Sequence, residues 1–170
     1  MNQKKEKRKP PIQENDILEL TIHDLSHEGL GVAHVDGFPV FIENALEDEV
    51  IRAKITHVGR RMGHGRTIEI LTSSPYRVEI TDEVYTHKCT IPLHHLSYEK
   101  QLVFKRNQVE KLLAKVGGLQ DVPVFDTIGM DEPVGYRNKA QIPVREVRGQ
   151  LTTGFYKKGT HDLIPIEDFI

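Results

Sequence analysis

Ile17-Leu18-Glu19-Leu20-Thr21-Ile22-His23 alternates apolar and polar side chains without a break. Leu18, Leu20 and Ile22 fall on one face and Glu19, Thr21 and His23 on the other, the period-two pattern of a half-buried strand. The signal recurs downstream. Gly29 and Gly31 interrupt the next stretch, as a bulge or a close backbone approach would require. Val35-Asp36-Gly37-Phe38 carries the Asp-Gly pair of a tight two-residue hairpin, and Pro39 to Ile42 returns from it. Glu49 to Val58 alternates again, with Ile51, Ala53 and Ile55 opposite Arg52, Lys54 and Thr56. Gly65 to Leu71 supplies a fifth strand, with Ile68 and Ile70 directed inward. Short strands this closely spaced leave exposed edges unless the sheet closes on itself. Residues 16–72 are therefore predicted to form a five-stranded, OB-like β-barrel.

Outward from the barrel the pattern changes. Residues 1–15 contain Lys4-Lys5-Glu6-Lys7-Arg8-Lys9 and Pro10-Pro11, and read as a disordered basic arm. Residues 73–95 form a connector. Ser97, with Glu99 in the first turn, is placed to N-cap a helix over 97–116, and Gly117-Gly118 closes it. Leu102, Val109, Leu112, Leu113 and Val116 lie on one helical stripe, while Lys100, Lys105, Arg106, Lys111 and Lys115 lie mainly off it. From Tyr136 strand patterns return, with Ala140, Ile142 and Val144 facing one way and Arg137, Lys139, Gln141 and Arg145 the other. Arg148-Gly149 turns into a strand over Leu151 to Tyr156, and His161 to Ile166 is a third. One helix covers such a sheet only in part, so 73–170 is expected to be the start of an incomplete α+β domain with an antiparallel sheet. The predicted class is mainly β with one long helix.

The 170 residues are 38% hydrophobic and 28% charged, which excludes a disordered or collagen-like chain. One cysteine, Cys89, forms no disulfide within the chain and points to a reducing compartment. No apolar run approaches the roughly 20 residues that span a bilayer. A cytoplasmic protein without membrane contact is expected. The arm contributes +4 to a net charge of −2, so the rest of the chain carries −6 and bulk charge does not mark a nucleic-acid binder.

Chemistry has to come from local constellations. His87, Cys89, His94 and His95 place a thiol and three imidazoles within nine residues, but zinc sites use paired ligands at short spacing and Cys89 has no partner. The bland reading is a loop with exposed histidines, and a metal-dependent regulator is a remote alternative. No third group orients a Cys89 nucleophile, and no phosphate-binding glycine loop is present. No catalytic and no metal residue is assigned. His57-Val58-Gly59-Arg60-Arg61-Met62-Gly63-His64-Gly65-Arg66 has three Arg, two His and no acid, and reads as a loop that brings guanidinium and backbone N–H groups to phosphates. The competing reading is a basic hairpin without a partner. Of the aromatic residues that could stack on bases, Phe38, Phe41 and Tyr136, Phe41 is assigned to the core.

Ser26-His27-Glu28-Gly29-Leu30-Gly31-Val32-Ala33, Asp36-Gly37, Val40-Phe41-Ile42 and Asp48-Glu49-Val50 resemble a TRAM domain. His95-Leu96-Ser97-Tyr98-Glu99-Lys100-Gln101-Leu102, Gly135-Tyr136-Arg137-Asn138-Lys139-Ala140-Gln141, Gly154-Phe155-Tyr156 and Ile166-Glu167-Asp168 follow in order. The set is similar to the N-terminal part of RNA (uracil-5-)-methyltransferases of the 23S ribosomal RNA type, over nearly all of residues 12–170. The resemblance implies an RNA-recognition portion with RNA, ribosomal RNA in particular, as partner. It implies S-adenosylmethionine and a catalytic cysteine only for a full-length relative, in a Rossmann-like domain to which nothing here corresponds. Many relatives hold a [4Fe–4S] cluster on four cysteines, and the matching positions here are Asp82, Lys88, Ile91 and Phe169, so no cluster is expected. The residues expected to contact RNA are His27, Lys54, Arg60, Arg61 and Arg66 in the barrel and Arg137, Lys139 and Arg145 beyond it. The chain would bind and not catalyse. A missing C-terminal methyltransferase domain is the implied partner if the chain is a fragment, and a free-standing TRAM-type RNA-binding factor or RNA chaperone is the alternative.

Overall fold

The computed structural model describes residues 9–80, 93–136, 138–139, 141–156 and 160–165. The chain divides into two compact units between Arg77 and Val78. In the first unit the strands are β1 (Ile17–Thr21), β2 (Asp24–Leu25), β3 (Gly31–Val35), β4 (Phe38–Glu43), β5 (Val50–Val58) and β6 (Gly63–Thr72). They form one mixed sheet in the order β1-β5-β6-β4-β3-β2, with β4 and β6 parallel. Its two edges, β1 and β2, are consecutive in the chain. Ile22 N–H donates to Glu49 O beside β5, and His23 N–H donates to Val32 O on β3. The segment 17–25 thus crosses from one edge to the other and closes the barrel, which accounts for five predicted strands becoming six.

The alternation seen in the sequence builds the core. Leu20, Ile22, Ala33, Val40, Ile42, Ile51, Ala53 and Ile55 are buried together, and Asp36 and Gly37 both take positive φ (49° and 80°), the requirement of the predicted hairpin turn. Three expectations fail for local reasons. Ile68 is exposed, because the β5–β6 register jumps from Arg52↔Glu69 to Ala53↔Thr67 and leaves it as the extra residue of a bulge. Phe41 is not in the core: Val40 and Ile42 take the inward positions on either side of it. The presumed arm enters the fold within its described part, residues 9–15. Ile12 is 3% exposed, Asn15 N–H bonds Ile55 O, and the Glu14 carboxylate reaches His57 Nδ1 at 3.0 Å. Residues 1–8 lie outside the described set.

Glu49 is the one acidic side chain fully buried in this unit among the described residues. Its carboxylate accepts from Leu46 N–H (2.9 Å), Ser74 N–H (3.2 Å), Arg77 Nε (2.6 Å) and Arg77 Nη2 (2.9 Å). Arg77 also donates to Asn44 O and Oδ1. Four donors compensate the desolvation of the charge and lock the exit of β6 against the β4–β5 connection.

In the second unit α1 (Tyr98–Lys115) follows Ser97, whose side chain makes no capping bond. The Gln101 side chain instead donates to Leu93 O and Leu96 O, and Gly118 takes φ 67° past the other end. No α1 residue is buried: Val109 and Leu112 of the predicted stripe are exposed, and the helix meets the segment 126–130 through Thr127 Oγ1 to Leu102 O and Met130 N–H to Tyr98 Oη. The strands β7 (Val144–Val147), β8 (Gln150–Tyr156) and β9 (Leu163–Pro165) form an antiparallel sheet. The Arg148-Gly149 turn is as predicted, but the first strand begins at Val144 and not near Tyr136, and Val144 itself is exposed. Pro143, which lacks an N–H donor, immediately precedes that start.

Burial raises the pKa of a carboxyl group, but the bonds from Arg77, Leu46 and Ser74 outweigh it and hold Glu49 below its ordinary value. A depressed folded pKa gives stability that is complete above the unfolded pKa and is lost as pH falls through the lowered one. Arg77→Ala, which strands the buried charge, should cost about 3–5 kcal/mol in urea unfolding at neutral pH. Glu49→Gln should remove part of the acid sensitivity of the midpoint below the normal glutamate range. An Arg77→Ala midpoint equal to wild type would show that the pair does not hold the barrel.

Candidate nucleic-acid interface

The basic stretch 57–66 is mostly strand. Only residues 59–62 form the turn, closed by Gly59 N–H to Met62 O at 2.9 Å. Gly63 and Gly65 face the core, where a side chain has no room: a Cβ on Gly63 would lie 2.7 Å from Ile12 Cδ1, and one on Gly65 would lie 2.9 Å from both Ile42 Cδ1 and Lys54 O. With the glycines inward, His64 and Arg66 are forced outward.

Register then assembles a face. Lys54 pairs directly with Arg66 across β5 and β6, and Glu43 lies beside Arg66 on β4. One rung further, Phe41, His64 and His57 stand in a row on β4, β6 and β5. Their rings are near-parallel, with centroids 5.7 Å apart for Phe41–His64 and 6.5 Å for His57–His64, and interplanar angles of 28° and 26°. Arg60 and Arg61 are exposed in the turn beyond this rung. Among the described residues, Lys54, Arg60, Arg61 and Arg66 have no ion-pair partner, whereas Arg52 is taken by Glu69, and Arg106 by Glu110 and Asp126. The arrangement sets cations beside a stack of near-parallel rings.

The other predicted residues do not join this face. His27 sits in the β2–β3 loop, at the end of the barrel opposite the Arg60-Arg61 turn, with its Nε2 4.0 Å from the Glu28 carboxylate. Arg137 lies outside the described residues. In the second unit Lys139 is exposed and outside any strand, so it does not share a strand face with Arg145, whose guanidinium lies 5.5 Å over the Tyr156 ring. Sequence reasoning assigns Phe41 to the core and His57 and His64 to a loop, whereas the structure sets all three in a row across β4, β6 and β5. The signal was there in the glycines at 63 and 65, which mark the inward face of a strand and place His64 opposite.

Of the cysteine–histidine cluster, His87 and Cys89 lie outside the described residues, as do Asp82, Lys88, Ile91 and Phe169. His94 and His95 do not point apart in an exposed loop: Leu93 takes φ 70°, the turn closes by Leu96 N–H to Leu93 O, and the two rings meet edge to face at 5.4 Å with His95 buried. Among the described residues no three metal-ligating side chains converge. No helix among them is long and apolar enough to cross a membrane.

Residues 11–68 match the family model of the TRAM domain. Over 159 residues, 94% of its length, the chain is 52% identical to a protein of Enterococcus faecalis named as an uncharacterized RNA methyltransferase, and 50% identical to one of the same description in Lactiplantibacillus plantarum. It spans 35% of the length of each. A solution structure of a conserved protein from Methanococcus maripaludis is 33% identical, with 35% of this chain and 86% of that one aligned at a TM-score of 0.34.

Gly65→Ala should cost about 1–3 kcal/mol in unfolding free energy, because the Lys54 carbonyl is backbone and cannot step aside. Arg60→Ala with Arg61→Ala should stay within about 0.5 kcal/mol of wild type, since both residues are exposed in the turn. A large loss in the arginine variant, followed by circular dichroism, would assign the turn a structural role.

Proposed function

From a chain whose residues 11–68 are a TRAM domain, we propose that this is the RNA-gripping portion of an RNA methyltransferase. The observation that carries the reading is similarity along 94% of the chain to proteins named RNA methyltransferases. The barrel supports it with Lys54, Arg60, Arg61 and Arg66, which have no ion-pair partner among the described residues, on one face and one adjoining turn. Guanidinium and ammonium groups of this kind neutralise phosphates and fix the register of a nucleic acid without reading its sequence.

The finer proposal is methylation of uracil C5 in 23S ribosomal RNA with S-adenosylmethionine as methyl donor, in the cytoplasm. The donor and the attacking cysteine belong, on this reading, to the part of the relatives' length that the chain does not span. In the second unit Val116, Phe125, Ile128 and Leu151 are each at least 80% exposed. Asp82, Lys88, Ile91 and Phe169 supply no set of thiolates, so the proposed assembly works without an iron–sulfur cluster.

Two measurements test this. RNA affinity of the chain should fall with salt, by about 0.7 log units per log unit for each single-strand phosphate contact, and Arg60→Ala, Arg61→Ala, Arg66→Ala together should flatten that slope. An unchanged slope would remove these residues from the interface. Mass-spectrometric mapping of 5-methyluridine in cells lacking the gene should show one 23S site lost. Loss confined to transfer RNA would overturn the ribosomal assignment, and no loss anywhere would overturn the reaction.

A further inference from the structure

The cations of the barrel account for phosphate contact but not for the row of rings beside them. Phe41, His64 and His57 come from three different strands and are brought into line by register alone. Glu14 holds the outer end of the row through its 3.0 Å contact with His57 Nδ1, and it also accepts from Val58 N–H, which fixes that contact to the backbone of β5. Phe41 and His64 are half-buried. The result is a short stack of near-parallel rings that spans three strands on the outer side of the barrel.

We propose that the Phe41–His64–His57 row is a stacking platform for unpaired RNA bases, and that the barrel therefore selects single-stranded over duplex RNA. This rests on the reading of the chain as RNA-gripping and gives that grip a second component. Bases expose their faces only when they are unpaired, whereas a duplex offers mainly its backbone. The two rungs divide the labour: Lys54 and Arg66 meet the phosphates, and the rings of the next rung, His57 on β5, His64 on β6 and Phe41 on β4, meet the bases.

The test uses the 170-residue chain with a single-stranded RNA of about ten nucleotides, a length within the range one such barrel holds, carrying 2-aminopurine at a central position, and the same sequence as a duplex. The wild-type chain should bind the single strand at least tenfold more tightly than the duplex and quench the 2-aminopurine fluorescence. Phe41→Leu with His64→Gln keeps apolar volume and polarity but removes two ring faces. It should weaken single-strand binding about tenfold and abolish the quenching, while leaving the salt slope unchanged. Lys54→Ala with Arg66→Ala should do the reverse, flattening the slope and keeping the quenching. If the double ring variant does not fold, His64→Gln alone, on the outer surface, gives the same readout. Retained affinity and quenching in a folded ring variant, or equal affinity for duplex, would overturn the platform and leave the RNA-gripping reading standing. No RNA binding by the wild-type chain would overturn both.

Discussion

The barrel depends on a charge it has taken out of water. Glu49 lies just before β5 with its carboxylate wholly enclosed, and its four donors come from three residues, Leu46 in the β4–β5 connection and Ser74 and Arg77 after β6. An isolated carboxylate in such a place would be strongly unfavourable, so the pair is not a bonus added to a finished fold. It makes the β4–β5 connection and the segment after β6 mutually dependent. Because β6 pairs with both β4 and β5, fixing its exit also fixes the register that lines up the outer face. The position of the rings and cations is thus tied to a contact at the far end of the strands that carry them.

Much of this was legible from period-two alternation. Strands β1 and β5 follow from apolar residues at every second position and β4 from the hairpin before it, and the Asp36-Gly37 and Arg148-Gly149 turns follow from backbone geometry that few residues adopt. What escaped was whatever interrupts the period. The bulge at Ile68 reverses the face of a residue that looks inward by counting. Phe41 looks like core by composition, but its neighbours Val40 and Ile42 already fill the inside. His64 between two glycines looks like loop until the glycines are seen as the inward positions of a strand with no space for a Cβ.

The second unit was less legible because its sequence carries a stripe without a local counterpart. Leu102, Val109, Leu112, Leu113 and Val116 have helical spacing, and α1 forms over them, yet no residue of α1 is buried. Periodicity reports that a face is apolar and does not report what covers it. The cap at Ser97 makes the same point on a smaller scale: residue type was suitable, but Gln101 supplies the bonds that tie the helix start to the preceding turn.

Both ends of the barrel are anchored, and by different chemistry. Ile12 occupies the space that the missing side chain of Gly63 leaves, and Arg77 is clasped by Glu49 and Asn44. The portable unit therefore runs from Ile12 to Arg77, longer at its far end than the 11–68 span that sequence matching delimits. A graft cut at residue 68 would leave a buried carboxylate without its counter-ion. One carried through to Arg77 would hand the next polypeptide a rigid post instead of a fraying strand.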